Sequence, residues 1–228
     1  MDLSTFTPAS ALITVILLAL APFVAVMVTS FTKIVVVLSL LRNALGLQQV
    51  PPNIVLNGLA LILTMYVMYP VGQEMARRYE AAPSNAMQQE QMLSESLGST
   101  EAMFGAIDRV KEPLRDFLVR HTPARERAFF ARTAKRVLSP ADAAELRPND
   151  FLVVIPAFTV TELARAFQIG FLIFLPFLVI DLVISNILLA LGMMMLSPTV
   201  ISLPFKLLLF VLIDGWVKLA HGLVLSYV

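Results

Sequence analysis

Six charged residues interrupt the apolar last third of the chain, and their chemistry calls for an explanation first. They are Glu162, Arg165, Asp181, Lys206, Asp214 and Lys218. Carboxylates embedded in apolar sequence can relay protons or bind a cation. A charged residue at bilayer depth costs at least about 2.5–3.5 kcal/mol, so these side chains must face each other, other subunits or water.

The spacing of these charges leaves their pairing open. Glu162 and Arg165 are three positions apart and therefore share one face of a helix. The others are too far apart in sequence to be paired, so they either hold a hairpin within one subunit or join copies in an assembly. Lys33 lies between two apolar runs and either extends to an interface or pairs across subunits.

Three consecutive methionines, Met193, Met194 and Met195, form the second unusual feature. They cannot share one helix face, because adjacent residues lie about 100° apart. Gly192 before them and Pro198 after them permit a loop, and we expect these two residues and Pro204 to act as its hinges. Methionine often fills gaps in a core. A methionine loop in a channel would instead form a deformable apolar constriction that resists wetting.

Enzymatic motifs are missing from the sequence. It has no phosphate-binding or dinucleotide-binding glycine loop, no H-E-x-x-H and no G-x-S-x-G. His121 and His221 are a hundred positions apart and are predicted to be ordinary polar residues, and the absence of cysteine excludes thiolate chemistry. We expect no enzyme activity, no cofactor and no metal site.

Composition indicates a membrane protein with one polar insertion. Of the 228 residues, 58% are hydrophobic and 14% are charged, whereas soluble domains carry about 25% charged residues. Residues 71–150 hold 24 of the 33 charged side chains, twelve of each sign. The net charge of +1 gives no reason to expect a nucleic-acid partner.

Two uncharged stretches precede the insertion. Ala11–Val28 has 18 residues and Ile54–Pro70 has 17, near the length of about 20 that a spanning helix needs. The first stretch lacks a basic region before it, so we expect it to be retained rather than cleaved. The short loop that begins at Arg42 is predicted to be cytoplasmic, which places residues 71–150 in the periplasm. Gly46 and the Pro51-Pro52 pair supply the stop signals of this loop.

The insertion is predicted to be mostly helical with a solvated charged face. Glu112–Val119 and Ala124–Leu138 carry apolar residues at helical spacing, whereas residues 81–100 resemble a flexible linker. Seven prolines are expected to interrupt helices in this segment and in the last third. They are Pro113, Pro123, Pro140, Pro156, Pro176, Pro198 and Pro204.

The predicted fold is an all-α integral membrane protein of kinked helical hairpins. We divide it into N-terminal hydrophobic helices (residues 1–70), a polar helical periplasmic domain (71–150) and C-terminal hydrophobic hairpins with the methionine loop (151–228).

Two long strings resemble a known family. TSFTKIVVVLSLLRNALGLQQVPPN and PAFTVTELARAFQIGFLIFLPFLVIDLVISNILLALGMMMLSPTVISLPFKLLLFVLIDGW closely resemble the FliP/SctR family, the R-type export-gate subunits of type III secretion. LQQVPPN is more typical of the injectisome branch than of the flagellar branch. The family usually reads close to S-E-L-K-x-A-F where this chain has TELARAF, so the basic charge moves from position 164 to Arg165.

The resemblance implies a function as well as an assembly. It implies a pentamer that forms a helical funnel with S-type and T-type partners and other export-apparatus proteins in the bacterial inner membrane. Unfolded secreted proteins would pass through its centre, and Met193–Met195 would seal it. In this family Glu162 and Lys206 are candidates for a contact between subunits.

Two other readings remain. A stand-alone ion channel or proton-coupled transporter would use Glu162, Asp181 and Asp214 as a relay, although few spans and no visible inverted repeat argue against it. A purely structural membrane scaffold would explain the apolar content but not the methionines.

Overall fold

The structure, a computed structural model, describes residues 8–80, 100–193 and 195–228. Within these ranges every regular element is a helix, which confirms the predicted all-α class. In chain order the helices are α1 (Pro8–Val28), α2 (Phe31–Ala44), α3 (Asn53–Glu80), α4 (Thr100–His121), α5 (Ala124–Val137), α6 (Pro140–Glu145), α7 (Phe151–Ala190), α8 (Pro198–Leu212) and α9 (Gly215–Leu225).

Packing divides the chain into two compact units. The first combines residues 1–29 with Met68–Thr159, and the second combines Ser30–Val67 with Val160–Val228. Of the three boundaries between the units, two fall inside long helices, α3 and α7, and the third falls between α1 and α2. These units are defined by which residues contact each other. The predicted segments 1–70, 71–150 and 151–228 were instead defined by sequence polarity, and they stay a prediction.

The core of the second unit forms around α2. Its apolar residues recur at helical spacing, so Ile34, Val37 and Leu38 face the same side and are fully buried. They pack against Ala60 of α3 and Ala166 of α7 among others. The small side chains allow the helix backbones to approach closely, as is usual where helices associate in membranes.

The loop after α2 has the predicted stop signals. Gly46 adopts a left-handed conformation with φ of +79°, and its N–H donates to the carbonyl of Asn43. The Arg42 guanidinium then donates to the carbonyl of Pro51 at 3.2 Å and to Asn53 Oδ1 at 2.6 Å. Arg42 therefore fixes the loop at both ends, and α3 begins directly after Pro51-Pro52.

The prediction that prolines interrupt the helices is wrong at four positions. Pro156 and Pro176 lie within the unbroken 40-residue α7, Pro204 lies inside α8, and Pro113 lies inside α4. The role of Pro204 as a hinge stays a prediction. An apolar helix tolerates a proline when neighbouring groups satisfy the freed carbonyl. The prediction holds at Pro198 and at Pro140, where each proline is the first residue of its helix and follows a serine.

The first unit contains the helices of the polar insertion. The two predicted helices are present, and α4 is longer than predicted because it begins at Thr100. Pro123 stands directly before α5, as predicted. The Phe117 and Phe158 rings pack 5.8 Å apart and fix α4 against the beginning of α7. Of the predicted linker, residues 81–99 lie outside the described ranges.

Within the described residues, two helices are long and apolar enough to cross a membrane. They are Asn53–Arg78 and Phe151–Ala190. Two pairs of shorter helices would raise the number to four if each pair forms one span: Pro22–Val28 with Phe31–Ala44, and Pro198–Leu212 with Gly215–Leu225, the latter bent by 60°. These helices agree with a membrane protein that has bent hydrophobic segments.

Helix α7 approaches α2 closely at Gly170. A Cβ built at Gly170 would lie 2.3 Å from Leu40 Cδ1 and 3.0 Å from Leu40 Cβ. We expect Gly170→Ala to lower the free energy of unfolding by about 1–3 kcal/mol, the usual cost of overpacking. The measurement is thermal unfolding of the detergent-solubilised protein.

Gly58 of α3 is the matched control for this substitution, since a Cβ there would meet no atom within 4 Å. Gly58→Ala should be neutral or stabilising by up to about 1 kcal/mol, because alanine favours the helix. Adding Leu40→Ala to Gly170→Ala should recover part of the loss. Equal stabilities of the two glycine variants would contradict the close packing.

Candidate functional site

The C-terminal half of α7 packs antiparallel against α8. Met193 and Met195 lie at the tip of this hairpin. The Asp181 carboxylate lies 2.6 Å from Lys206 Nζ and accepts a hydrogen bond from Ser202 at 2.6 Å. The Phe177 ring packs 6.5 Å from the Phe210 ring. Earlier positions on α7 therefore face later positions on α8, and residues 192–197, called here the methionine loop, connect the two helices.

The backbone of this loop has the conformation that its glycine predicts. Gly192 has φ of +71°, and its N–H donates to the carbonyl of Leu189. The N–H of Met193 donates to the carbonyl of Leu188 at 2.9 Å, which completes the end of α7. Pro198 then begins α8. The predicted loop is thus present, with Gly192 and Pro198 at its two ends.

Two methionine side chains of this loop lie in the described residues, and both are exposed. Met195 is 99% exposed and Met193 is 46% exposed, while Met194 lies outside the described residues. Leu191 and Leu196 beside them are also exposed. Met195 therefore fills no gap in the core of its own subunit, and this excludes the core-filling alternative for that residue.

Lys206 anchors the hairpin to the end of α2. Its ammonium is almost fully buried, pairs with Asp181 and lies 3.5 Å from the carbonyl oxygen of Ala44, the last residue of α2. A cation at this position interacts favourably with the unpaired carbonyls and the dipole of the helix end. Asp181 lies about 14 Å along α7 from Ala190, the last residue of that helix. The Asp181–Lys206 pair therefore holds α7 and α8 together near the methionine loop.

A second buried charge cluster surrounds Glu162. Its carboxylate is 0% exposed, lies 3.1 Å from Lys33 Nζ and accepts a hydrogen bond from the Tyr227 hydroxyl. Arg165 Nη1 lies 2.9 Å from its other oxygen. Lys33 Nζ also lies 3.5 Å from the centre of the Tyr227 ring. We call Lys33, Glu162, Arg165 and Tyr227 the Glu162 cluster; it joins α2, α7 and the C-terminal end.

These contacts decide some of the pairing alternatives. The pair of Glu162 with Arg165 on one helix face is confirmed, and Lys33 does not extend to an interface, because it is 1% exposed and paired within its own chain. Asp181 and Lys206 hold a hairpin within one subunit. Glu162 and Lys206 have different partners in this chain, and a contact between them in neighbouring subunits stays a prediction.

The structure does not bring the three carboxylates of the suggested proton relay together. Glu162 and Asp181 are separated by about 28 Å along the same helix, too far for direct proton transfer. Asp214 is exposed and has a left-handed backbone, with φ of 52°, at the start of α9. Among the described residues, no three His, Cys, Asp or Glu side chains are placed to hold a metal ion.

The sequence alone did not reveal Tyr227 and Ser202, which complete the two charge clusters. Tyr227 is a polar side chain in the apolar C-terminal segment, but no spacing connects it to Glu162, 65 positions earlier. His221 is exposed, and His121 contacts the carbonyl oxygen of Phe117 in the first unit at 2.8 Å. This agrees with the prediction that both are ordinary polar residues.

Comparisons with known proteins agree with one another. A family model described as the FliP family matches residues 13–223. The hypersensitivity response secretion protein HrcR of Ralstonia nicotianae is 51% identical over 221 residues, which cover 96% of this chain and 97% of that protein. Yop proteins translocation protein R of Yersinia pestis is 53% identical over 211 residues, 92% of each chain. The flagellar biosynthetic protein FliP of Caulobacter vibrioides is 46% identical over 210 residues, 92% of this chain and 73% of that protein.

The Glu162 cluster predicts a strong dependence on its central carboxylate. Glu162→Ala would leave Lys33 buried without its anionic partner, and loss of one member of a buried pair costs about 3–5 kcal/mol. We expect a reduction of that size in the free energy of unfolding in detergent. Tyr227→Phe should cost less, because the ring can remain beside Lys33 and only the hydroxyl is lost.

The exposed pair of Glu74 with Arg78 is the matched control. Glu74→Ala should change the free energy of unfolding by about 0–1 kcal/mol, as is usual for surface pairs. Combining Lys33→Met with Glu162→Ala should recover part of the stability that Glu162→Ala loses, because the buried cation is then gone. A Glu162→Ala variant as stable as Glu74→Ala would contradict the description of the cluster.

Proposed function

Since this chain belongs to the FliP family, as its sequence resemblance predicted, we propose that it is a pore-forming core subunit of a type III secretion export gate. Several copies, a pentamer by the family resemblance, assemble with S-type and T-type subunits and other export-apparatus proteins. The assembly belongs to the bacterial inner membrane, with residues 71–150 in the periplasm. Unfolded proteins pass through its centre.

The methionine loop is the proposed pore seal, and the exposure of Met195 carries this proposal. A side chain that is 99% exposed at the end of an anchored hairpin is available to line a space between subunits. Unbranched thioether side chains can pack together and can also adjust to cargo of varied shape. An apolar constriction stops ion flow by excluding water. Met193, and Met194 by its position in the sequence, would contribute to the same constriction.

A single short loop cannot enclose a pore, so this function requires several copies. Large apolar side chains on α7, α8 and α9 support such an assembly, because they are exposed in the single chain and need lipid or protein to cover them. Phe171, Leu172 and Val211 are among the most exposed. A purely structural scaffold would also bury these residues, but it would give the exposed methionines no role.

Ion leak tests the seal. Replacing Met193, Met194 and Met195 with alanine removes most of the apolar volume of the loop, so we expect a rise in ion leak across the inner membrane. The measurement is the decay of an imposed ion gradient in vesicles that contain the assembled complex.

Two controls make the leak experiment specific. The corresponding triple leucine variant keeps apolar volume and should leak less than the alanine variant. Comparable levels of assembled complex must be shown in both preparations. An alanine variant that assembles fully and retains the gradient as well as the natural chain would contradict the seal.

Oligomeric mass tests the assembly. Co-expression with S-type and T-type subunits should give a stable complex that contains several copies of this 25.1 kDa chain, detected by native mass spectrometry in detergent. A transporter acting alone should instead purify as a monomer or dimer and bind a small solute. That result would favour the alternative function.

A further inference from the structure

We propose that Met193 and Met195 are a site of reversible oxidation, at which conversion to methionine sulfoxide loosens the seal. This inference rests on the proposed function, and it adds a way to regulate the same loop. The oxidant is a small water-soluble peroxide.

Access to the two thioethers is the first argument. In the single chain Met195 is almost completely exposed, and nearly half of Met193 is exposed. In the proposed assembly, the thioethers at the two faces of the constriction border the water of the conduit. The chain has no cysteine, so no thiol within it competes for the oxidant. Among the methionines whose side chains the structure describes outside the helices that could cross a membrane, those of this loop are open to a dissolved oxidant.

The chemistry is a two-electron oxygen transfer. The thioether sulfur attacks one oxygen of the peroxide, the O–O bond breaks, and a new S–O bond forms. The sulfur is oxidised to the sulfoxide, and hydrogen peroxide is reduced to water with its two protons. Methionine sulfoxide reductases reverse the change, and because the sulfur becomes chiral, two enzymes are needed for the two epimers.

The backbone of the loop should survive this oxidation. The bonds that define it run from the N–H of Gly192 to Leu189 and from the N–H of Met193 to Leu188, and neither involves a sulfur atom. Oxidation therefore changes the surface of the loop without removing either of these backbone hydrogen bonds. A sulfoxide oxygen accepts hydrogen bonds from water, so an apolar constriction lined by sulfoxides would wet more easily.

Two other methionines provide a comparison within the chain. Met65 on α3 is 66% exposed and Met27 on α1 is also exposed in the single chain. Met65 lies in a helix that can cross a membrane, and Met27 lies in one half of a bent pair that could do so. Lipid would shield both from a water-soluble oxidant. If the loop methionines are oxidised and Met65 and Met27 are not, the loop methionines face water in the assembled complex. Exposure in the isolated chain alone would not produce this difference.

The test uses the full complex in proteoliposomes treated with dilute hydrogen peroxide. Peptide mass spectrometry measures the gain of one oxygen atom, about 16 Da, at each methionine. We expect Met193 and Met195 to be oxidised faster than Met65 and Met27. Oxidation of the loop at or below the rate of Met65 would overturn the proposal.

Ion leak is then measured on the same samples before and after treatment. We expect the leak to rise towards that of the triple alanine variant and to fall again after treatment with both reductases. The triple leucine variant has no sulfur in the loop, so its leak should not change from its own untreated value. A rise in the leucine variant, or no reversal by the reductases, would assign the leak to damage elsewhere and overturn the proposal.

The failure of this inference can be distinguished from failure of the proposed function. If the loop is oxidised without added leak while the alanine variant leaks, the seal stands and the oxidation site has no effect on it. If neither the alanine variant nor the oxidised complex leaks, the seal itself is wrong and the inference fails with it.

Discussion

Burial of the Glu162 carboxylate is the constraint on which the second unit depends. A carboxylate without contact with solvent must be neutralised by other groups, since desolvation costs several kcal/mol per ion. Lys33 comes from α2, Arg165 from the next turn of α7, and Tyr227 from the end of the chain. Their contacts can form only when these three parts of the chain meet. The apolar core alone would not specify this arrangement as narrowly, because aliphatic packing has little directional preference.

Lys206 is a second buried charge that is neutralised by a partner from another helix, Asp181. It joins α8 to α7, and through the carbonyl of Ala44 it reaches the end of α2. The methionine loop therefore extends from a support that is held by directional contacts rather than by apolar packing alone. Such a support keeps the ends of the loop in place.

Periodicity and stop signals made much of this fold predictable. The loop after α2 and the methionine loop each contain a glycine in a left-handed conformation near a proline, and both were identified from these signals. The isolated prolines were misleading. Pro176, for example, lies in a strongly apolar stretch where no competing polar group can satisfy a broken backbone, so the helix continues through it.

Sequence spacing could not predict which charged residues pair when they are far apart in the chain. Glu162 and Arg165 are close enough in the chain for the helix period to pair them, and that prediction is confirmed. Lys33, Asp181 and Lys206 acquire their partners only through the packing of whole helices. The same limit applies to Tyr227, whose role depends on where the last helix ends. The family was recognised from long matching strings and not from any single charged group.

The length of α7 has a consequence for where the protein can reside. Forty helical residues extend about 60 Å, roughly twice the thickness of the hydrocarbon layer of a bilayer. No ordinary tilt accommodates a rod of that length, yet bulky apolar side chains are exposed along much of it. If this helix crosses a bilayer, part of its apolar surface extends beyond the hydrocarbon layer, where polypeptide rather than lipid would have to cover it.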